Sequence, residues 1–346
     1  MSDNPKSTDE IWQQRISDAV INARKTEISA ADIYGKEFPP IKWVIPDILP
    51  EGVFWLAGSP KIGKSWLALS ISLAVASGGL VFGDREVEPG DVLHFALEDN
   101  QRRLQSRMKM LLPEGQAPSD RLRFNTEALR ADYGLIDYMG EWMGDVITPR
   151  LIVVDTYLKI QSGIDSPSAS QYQIDYERLA PLVKFANANS ITLLLVHHLR
   201  KTESDDALNM VSGSVGMTAA VDGVLTLTRE RGQDAGYFFV TGRDVPEEKY
   251  AMTLQDGCDW RLEGKAEEYA LNENQRNIQD VLRDGSSKSL KELCDALDLE
   301  YGKNKGNVRR TVLKMLDDGL LDRQGSRYRL HRAEHREYPA SNSVTH

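Results

Sequence analysis

Cysteine is nearly absent from this 346-residue sequence: Cys258 and Cys294 are too few and too scattered for a disulfide framework or a thiolate metal cage. Such usage fits a reducing cytosol, with both thiols serving as packing residues. Long apolar runs are also missing, and the first residues, Met1-Ser2-Asp3-Asn4-Pro5-Lys6, are polar and charged. The expectation is a soluble, cytoplasmic chain with no membrane partner. A positive balance is lacking too: 42 Lys and Arg face 52 Asp and Glu, a net charge of −10, which excludes coating of nucleic acid by the whole surface. Residues 271–346 nevertheless carry 14 basic against 12 acidic residues, net +2, leaving −12 on residues 1–270. Any contact with nucleic acid must therefore be local. Internal repeats are absent, and the sole low-complexity patch runs from Ser162 to Ser170.

What is present is concentrated at Gly58-Ser59-Pro60-Lys61-Ile62-Gly63-Lys64-Ser65, which fits the phosphate-binding pattern G-x-x-x-x-G-K-[ST]. Val53-Phe54-Trp55-Leu56-Ala57 before it reads as a buried strand, and Leu67, Ala68, Ile71, Ala74 and Val75 after it recur at helical spacing. In a strand–loop–helix context, Gly58 and Gly63 let the backbone curl so that its N–H groups and the helix N-terminus face phosphates. Gly58 through Trp66 are the candidate nucleotide-binding residues: Lys64 reaches the β- and γ-phosphates, and the Ser65 hydroxyl ligates Mg²⁺. ATP and Mg²⁺ are the expected cofactors.

At this length, one large domain with a smaller appendage is expected. Residues 1–40 form a helical lead-in closed by Phe38-Pro39-Pro40. From 41 to 264, strand-like runs alternate with helical patterns: Phe54–Ala57, Val92–Leu97, Leu151–Val154, Ile191–Val196 and Val221–Leu227. Several are apolar throughout, as strands buried on both faces are. The fold class is therefore α/β, a mostly parallel sheet flanked by helices, with Tyr237–Thr241 and Tyr250–Leu254 as antiparallel edge strands. After Gly264 the pattern changes. Ser289-Leu290-Lys291-Glu292 is a capping box, a second helix near Asn304 to Asp317 buries Val308, Val312, Met315 and Leu316, and Leu320–Arg323 with Arg327–Leu330 flank the turn Gln324-Gly325-Ser326. Helices followed by a hairpin predict a small winged helix-turn-helix domain over 270–332, with 333–346 a disordered tail.

Phosphoryl transfer needs a metal holder, a group to orient water, a γ-phosphate sensor and cationic charge. Arg150-Leu151-Ile152-Val153-Val154-Asp155 is a buried strand ending in a carboxylate, and Asp155 is the second candidate Mg²⁺ residue. Glu98 ends another apolar strand 34 residues after Lys64 and is the candidate general base, with Asp99 its rival. His197 and His198 follow a third strand, and one of them can bond the γ-phosphate. Adjacent residues on an extended segment point in opposite directions, so the pair does not suit metal ligation.

Gly58–Ser65, Glu98, Asp155, His197-His198-Leu199-Arg200 and Gly213-Ser214 followed by Asp222-Gly223-Val224-Leu225 together resemble the RecA-like ATPase core, in particular the RepA-type plasmid helicases and related phage or mobile-element ATPases, cousins of the DnaB-type replicative helicases. The resemblance covers about residues 40–260. It implies a homo-oligomeric ring, a hexamer, acting as a helicase or translocase on single-stranded DNA in replication, with an initiator or a primase as partner. It further implies that Glu98 is the catalytic base and that an arginine finger reaches the neighbouring subunit's ATP site. Thr241-Gly242-Arg243 lies where DnaB-type proteins carry a Lys-x-Arg pair, making Arg243 the candidate finger. The lysine position holds Thr241, and Arg229 or Arg231 can supply the second cation.

By position, the loops Lys159–Gln171 and Lys201–Ser212 resemble channel loops of RecA-like rings, and phosphate contact falls to Lys159, Arg200 and Lys201. On the second C-terminal helix, Lys303, Lys305, Arg309 and Arg310 are further DNA-binding candidates, with Arg323, Arg327 and Arg329 on the wing. An alternative reading is an ATP-switched DNA-binding regulator or a replication loading factor.

Overall fold

The computed structural model describes residues 8–163, 169–198 and 215–331. Two compact units separate, Met1–Ile41 and Lys42–His346. The first holds α1 (Thr8–Lys25) and α2 (Ala30–Tyr34), the latter opened by Ser29, whose hydroxyl oxygen accepts the Asp32 N–H at 3.1 Å.

The second unit is organised by a nine-stranded sheet. In chain order its strands are β3 (Gly52–Gly58), β6 (Asp91–Ala96), β7 (Leu122–Asn125), β8 (Pro149–Asp155), β9 (Thr192–His198), β10 (Gly223–Arg229), β11 (Ala235–Gly242), β12 (Glu248–Gln255) and β13 (Asp259–Lys265). Two small ribbons, β1 (Trp43–Ile45) with β2 (Leu49–Pro50) and β4 (Leu80–Val81) with β5 (Arg85–Glu86), stand outside it. The spatial order is β13-β12-β11-β10-β3-β9-β8-β6-β7. From β10 through β7 every pairing is parallel, whereas β11, β12 and β13 add on antiparallel.

Strand alternation explains why the central runs are apolar throughout. Phe54 and Leu56 of β3 join a core under α3 (Lys64–Ser77). Val53, Trp55 and Ala57 join a second core under α5 (Leu135–Asp145) and α6 (Gln171–Asn189). All five are at most 1 % exposed, and each large one contributes on the order of 2 kcal/mol through burial. A mixed α/β architecture, mostly parallel and flanked by helices, is therefore what the strand pattern predicted. Its parallel strands all end, at their carboxyl ends, on the rim where β3 runs into the glycine-rich loop, the edge at which open α/β sheets bind ligands.

Beyond α7 (Val215–Ala219), which precedes β10, and beyond β13 come α8 (Ala266–Leu282), α9 (Leu290–Ala296) and α10 (Tyr301–Asp317), with the antiparallel strands β14 (Lys288–Ser289), β15 (Leu321–Gln324) and β16 (Arg327–Leu330) in the order β14-β16-β15. Ser289 and Glu292 satisfy each other's backbone N–H groups at the start of α9, a complete capping box. Ile278, Leu282, Leu293, Val308, Val312, Met315, Leu321 and Tyr328 pack as a separate core.

One buried polar pair sits inside the α3 layer. His94 of β6, 2 % exposed, meets the Ser72 hydroxyl at 2.9 Å. Ser72 gives its single hydroxyl hydrogen to the Ala68 carbonyl at 2.8 Å, so His94 Nδ1 carries the proton shared with Ser72. Burial pushes the imidazole from its usual 6.5 down to about 3, helped by the charge of Arg107. Between those values the unfolded chain binds a proton at residue 94 that the folded chain refuses, so folding stability falls as pH falls below 6.5. Thermal melts are expected to show the native protein losing about 2 kcal/mol more than His94→Gln between pH 6.5 and 5. Parallel losses in the two proteins contradict the assignment.

Candidate active site

The glycine-rich loop is built by local conformational demands. Gly63 has φ +107° and caps α3, and Lys61 has φ +66°. At Gly58 a side chain is excluded, since a Cβ would lie 2.6 Å from the Leu227 carbonyl oxygen of β10. Ser59, Pro60 and Lys61 are exposed, whereas Ile62 is buried and anchors the loop in the α3 core. Ser65 lies in the first turn of the 14-residue α3, where free backbone N–H groups and the positive dipole end favour anions.

Lys64 is 4 % exposed, and its Nζ donates to the carbonyls of Gly58 at 2.8 Å and Ser59 at 2.9 Å. A third contact, at 3.1 Å, is to His198 Nδ1 at the end of β9. An ammonium only donates, so His198 Nδ1 accepts and its proton resides on Nε2, which faces Glu98 Oε1 at 3.9 Å. Burial and the Lys64 charge lower the His198 pKa, which keeps the ring in this neutral form. Burial brings Lys64 itself down to about 8, against the opposing fields of Asp155 and Glu98.

Asp155 ends β8 at 6 % exposure with the Ser65 hydroxyl beside its carboxylate. Burial raises its pKa to about 6, a rise the Ser65 hydroxyl opposes and the charges of Glu98 and Asp99 reinforce. The Leu97 N–H donates to the Asp155 carbonyl at 2.7 Å, which ties the exit of β6 to the end of β8 and sets Glu98 beside them. A carboxylate and a hydroxyl with room for water and phosphate oxygens is the donor set magnesium uses; among the described residues no cluster of three or more His, Cys, Asp or Glu forms an all-protein cage.

The two acidic neighbours separate. Glu98 keeps a half-exposed side chain toward Lys64 and His198. Asp99, 8 % exposed, is held by Arg103 at 3.0 Å and by Arg107, both on α4 (Gln101–Leu111). Arg107 stacks over Trp66 at 5.1 Å, so Trp66 fastens α4 to α3 while Asp99 fastens it to the exit of β6. The histidines separate likewise: His197 packs on the opposite sheet face against Trp55 at 5.3 Å and Tyr157 at 6.4 Å. Of the paired candidates, His198 and Glu98 reach Lys64.

Arg243 lies at the other end of the sheet. It follows β11 where Gly242 pairs Gly223, next to the start of β3, about 20 Å from the loop at the strand rise of roughly 3.3 Å per residue. Its guanidinium, 60 % exposed, pairs with Asp222 Oδ1 at 3.1 Å, while Asp222 Oδ2 accepts the Val53 N–H at 2.9 Å. Arg229 stacks over Trp260 at 5.9 Å and donates to the Gln233 carbonyl, and Arg231 is exposed in the following turn. Lys159 is exposed after β8, whereas Arg200, Lys201, their loop and Gly213-Ser214 lie outside the described residues, as do 333–346. On α10, Lys303, Lys305, Arg309 and Arg310 are all exposed; Lys303 pairs with Glu300 at 2.8 Å and Lys305 lies over Tyr301.

Trp260 was invisible to motif reasoning. It belongs to β13, is 1 % exposed, and its indole N–H donates to the Gly63 carbonyl at 3.3 Å across 197 residues of sequence. A Cβ on Gly63 would come within 2.7 Å of that nitrogen. The sole sequence signal was an isolated Trp in a short alternating stretch. Trp260→Phe keeps an aromatic ring, smaller than the indole, and deletes the donor. The expected result is ATP affinity weakened about fivefold with kcat changed less than about twofold, measured by titration and steady-state kinetics. Unchanged affinity removes Trp260 from the site.

The chain matches the AAA domain family over residues 22–204. No curated protein sequence matches it. Among solved structures, it is similar to the ATPase domain of G40P at 11 % identity and TM-score 0.48, covering 61 % of this chain and 84 % of that one. It is also similar to a DnaB-like replicative helicase described with its interactions with primase, at 13 % identity and TM-score 0.47, covering 71 % of each. A third similarity is to the RadB recombinase, at 16 % identity and TM-score 0.42, covering 62 % of this chain and 91 % of that one.

Proposed function

The chain belongs to the AAA domain family, and on that premise we propose that it hydrolyses ATP as the motor of a homo-oligomeric ring, a hexamer, that translocates on single-stranded DNA during replication of a plasmid, phage or mobile element. One observation carries the reading: Lys64, Ser65, Glu98, Asp155 and His198 converge on one rim of the parallel sheet. The loop's N–H groups and Lys64 bind and orient the triphosphate. Ser65 and Asp155 hold Mg²⁺, which when bound neutralises phosphate charge. Glu98 accepts a proton from the attacking water, and His198 bonds the γ-phosphate and relays its loss along β9. Arg243, remote from its own loop, serves a second copy's site.

We read α8–α10 with β14–β16 as a winged helix-turn-helix, α10 presenting Lys303, Lys305, Arg309 and Arg310 to a phosphate backbone. The test is ATP turnover with and without single-stranded DNA, alongside imaging of the ATP-bound protein. Stimulated turnover and closed rings are expected; unstimulated turnover by a monomer sinks the motor and favours the regulator or loading factor. Arg243→Ala should lower turnover by at least about 10³-fold with ATP affinity intact. Normal hydrolysis by that variant would falsify the finger assignment.

A further inference from the structure

A cavity of 580 Å³ opens beside Ser59, the first residue of the loop after β3. Its walls come from three directions. Arg229 ends β10, Gln233 stands on the turn between β10 and β11, Tyr237 on β11, and Tyr269 and Glu273 on α8. A nucleoside triphosphate is a short rod: with its phosphates in the Gly58–Ser65 cradle, ribose and base must occupy space adjoining that cradle. The cavity adjoins it at Ser59 and has the volume of a small-molecule site. Its chemistry suits a base. Tyr269 and Tyr237 offer aromatic surface, the Tyr237 ring carrying the Lys249 ammonium over one face at 4.0 Å, Glu273 is an acceptor for an exocyclic amine, and Gln233 both donates and accepts. Arg229 Nε is buried with no partner in the structure, a donor left over beside the same wall.

The helix forming one wall does a second job. Tyr269 and Glu273 lie in the first half of α8, while Ile278 and Leu282, in its second half, are fully buried in the C-terminal core with Val308, Val312 and Met315 of α10. The strand leading into α8 is β13, whose Trp260 bonds Gly63 of the loop. We propose that this cavity seats the base and ribose of the nucleotide, so that α8 makes the C-terminal helical module part of the nucleotide site and reports occupancy to α10. The proposal rests on the reading that the loop binds a nucleoside triphosphate.

The test compares two probes on the full chain, ATP and inorganic tripolyphosphate, which share the phosphates but not the nucleoside. Calorimetry on the native protein should show ATP binding at least about tenfold tighter than tripolyphosphate. Tyr269→Ala should erase most of that advantage while leaving tripolyphosphate binding within twofold, and Tyr269→Phe should retain it. Should Tyr269→Ala fold poorly, Tyr237→Ala on the opposite wall is expected to behave in the same way. Hydrogen exchange of residues 266–282 should slow with ATP and stay unchanged with tripolyphosphate. Equal affinity of the native protein for both probes, equal loss of both in the variants, or unaltered exchange overturns the proposal and leaves the ATPase reading standing. Failure of the native protein to bind either probe overturns that reading instead.

Discussion

Lys64→Ala is expected to abolish ATP turnover, with kcat/KM lowered by at least about 10³-fold and ATP binding lost in the same variant. The ammonium is almost wholly enclosed, and its partners in the structure, two loop carbonyls and His198, place it in the centre of the phosphate cradle. In that low-dielectric position one cation facing three phosphate charges acts far more strongly than on the surface. The fold should survive. A pKa brought down to about 8 shows that burying this charge costs free energy, so its removal relieves a penalty while opening a small cavity. Thermal melts within a few degrees of the native protein, with turnover gone, are the combined outcome to look for. A well-folded variant retaining a tenth of native turnover would remove Lys64 from the chemistry and, with it, the assigned site.

The second large effect distinguishes adjacent carboxylates. Glu98→Gln is expected to lower kcat by about 10²–10⁴-fold while ATP affinity stays within a few-fold, because a general base contributes in the transition state and little to ground-state binding. Asp99→Asn breaks the ion pairs to Arg103 and Arg107 that hold α4. Its expected signature is a lower melting temperature with kcat reduced less than about tenfold. Single-turnover measurements on both variants separate the two roles. If Asp99→Asn proves the more damaging to chemistry at equal occupancy, the base has been assigned to the wrong neighbour.

These pairs show where sequence reading stops. Glu98 and Asp99 are equivalent as carboxylates after an apolar strand; what divides them is that α4 presents Arg103 and Arg107 to one of them. His197 and His198 differ by strand parity, and parity has meaning only once Lys64 and Trp55 are known to lie on opposite faces. Arg243 could be matched in sequence only with nearby acids, Asp244 and Glu247, whereas its partner in the structure is Asp222, 21 residues earlier but opposite across the β10–β11 pairing.

The sequence by itself determined the phosphate loop, the buried parallel strands and the capping box of α9. Each is decided within a few residues, by which positions tolerate positive φ, by how apolar a five-residue run is, or by whether a side-chain oxygen stands three residues from a free N–H. Tertiary structure alone decided that β13 lies against the loop, that Trp260 bonds Gly63, and that α8 walls the cavity beside Ser59. The antiparallel strands β11 to β13 bring together groups nearly 200 residues apart, at 197 for Trp260 and Gly63, and such contacts follow from how strands are ordered in space.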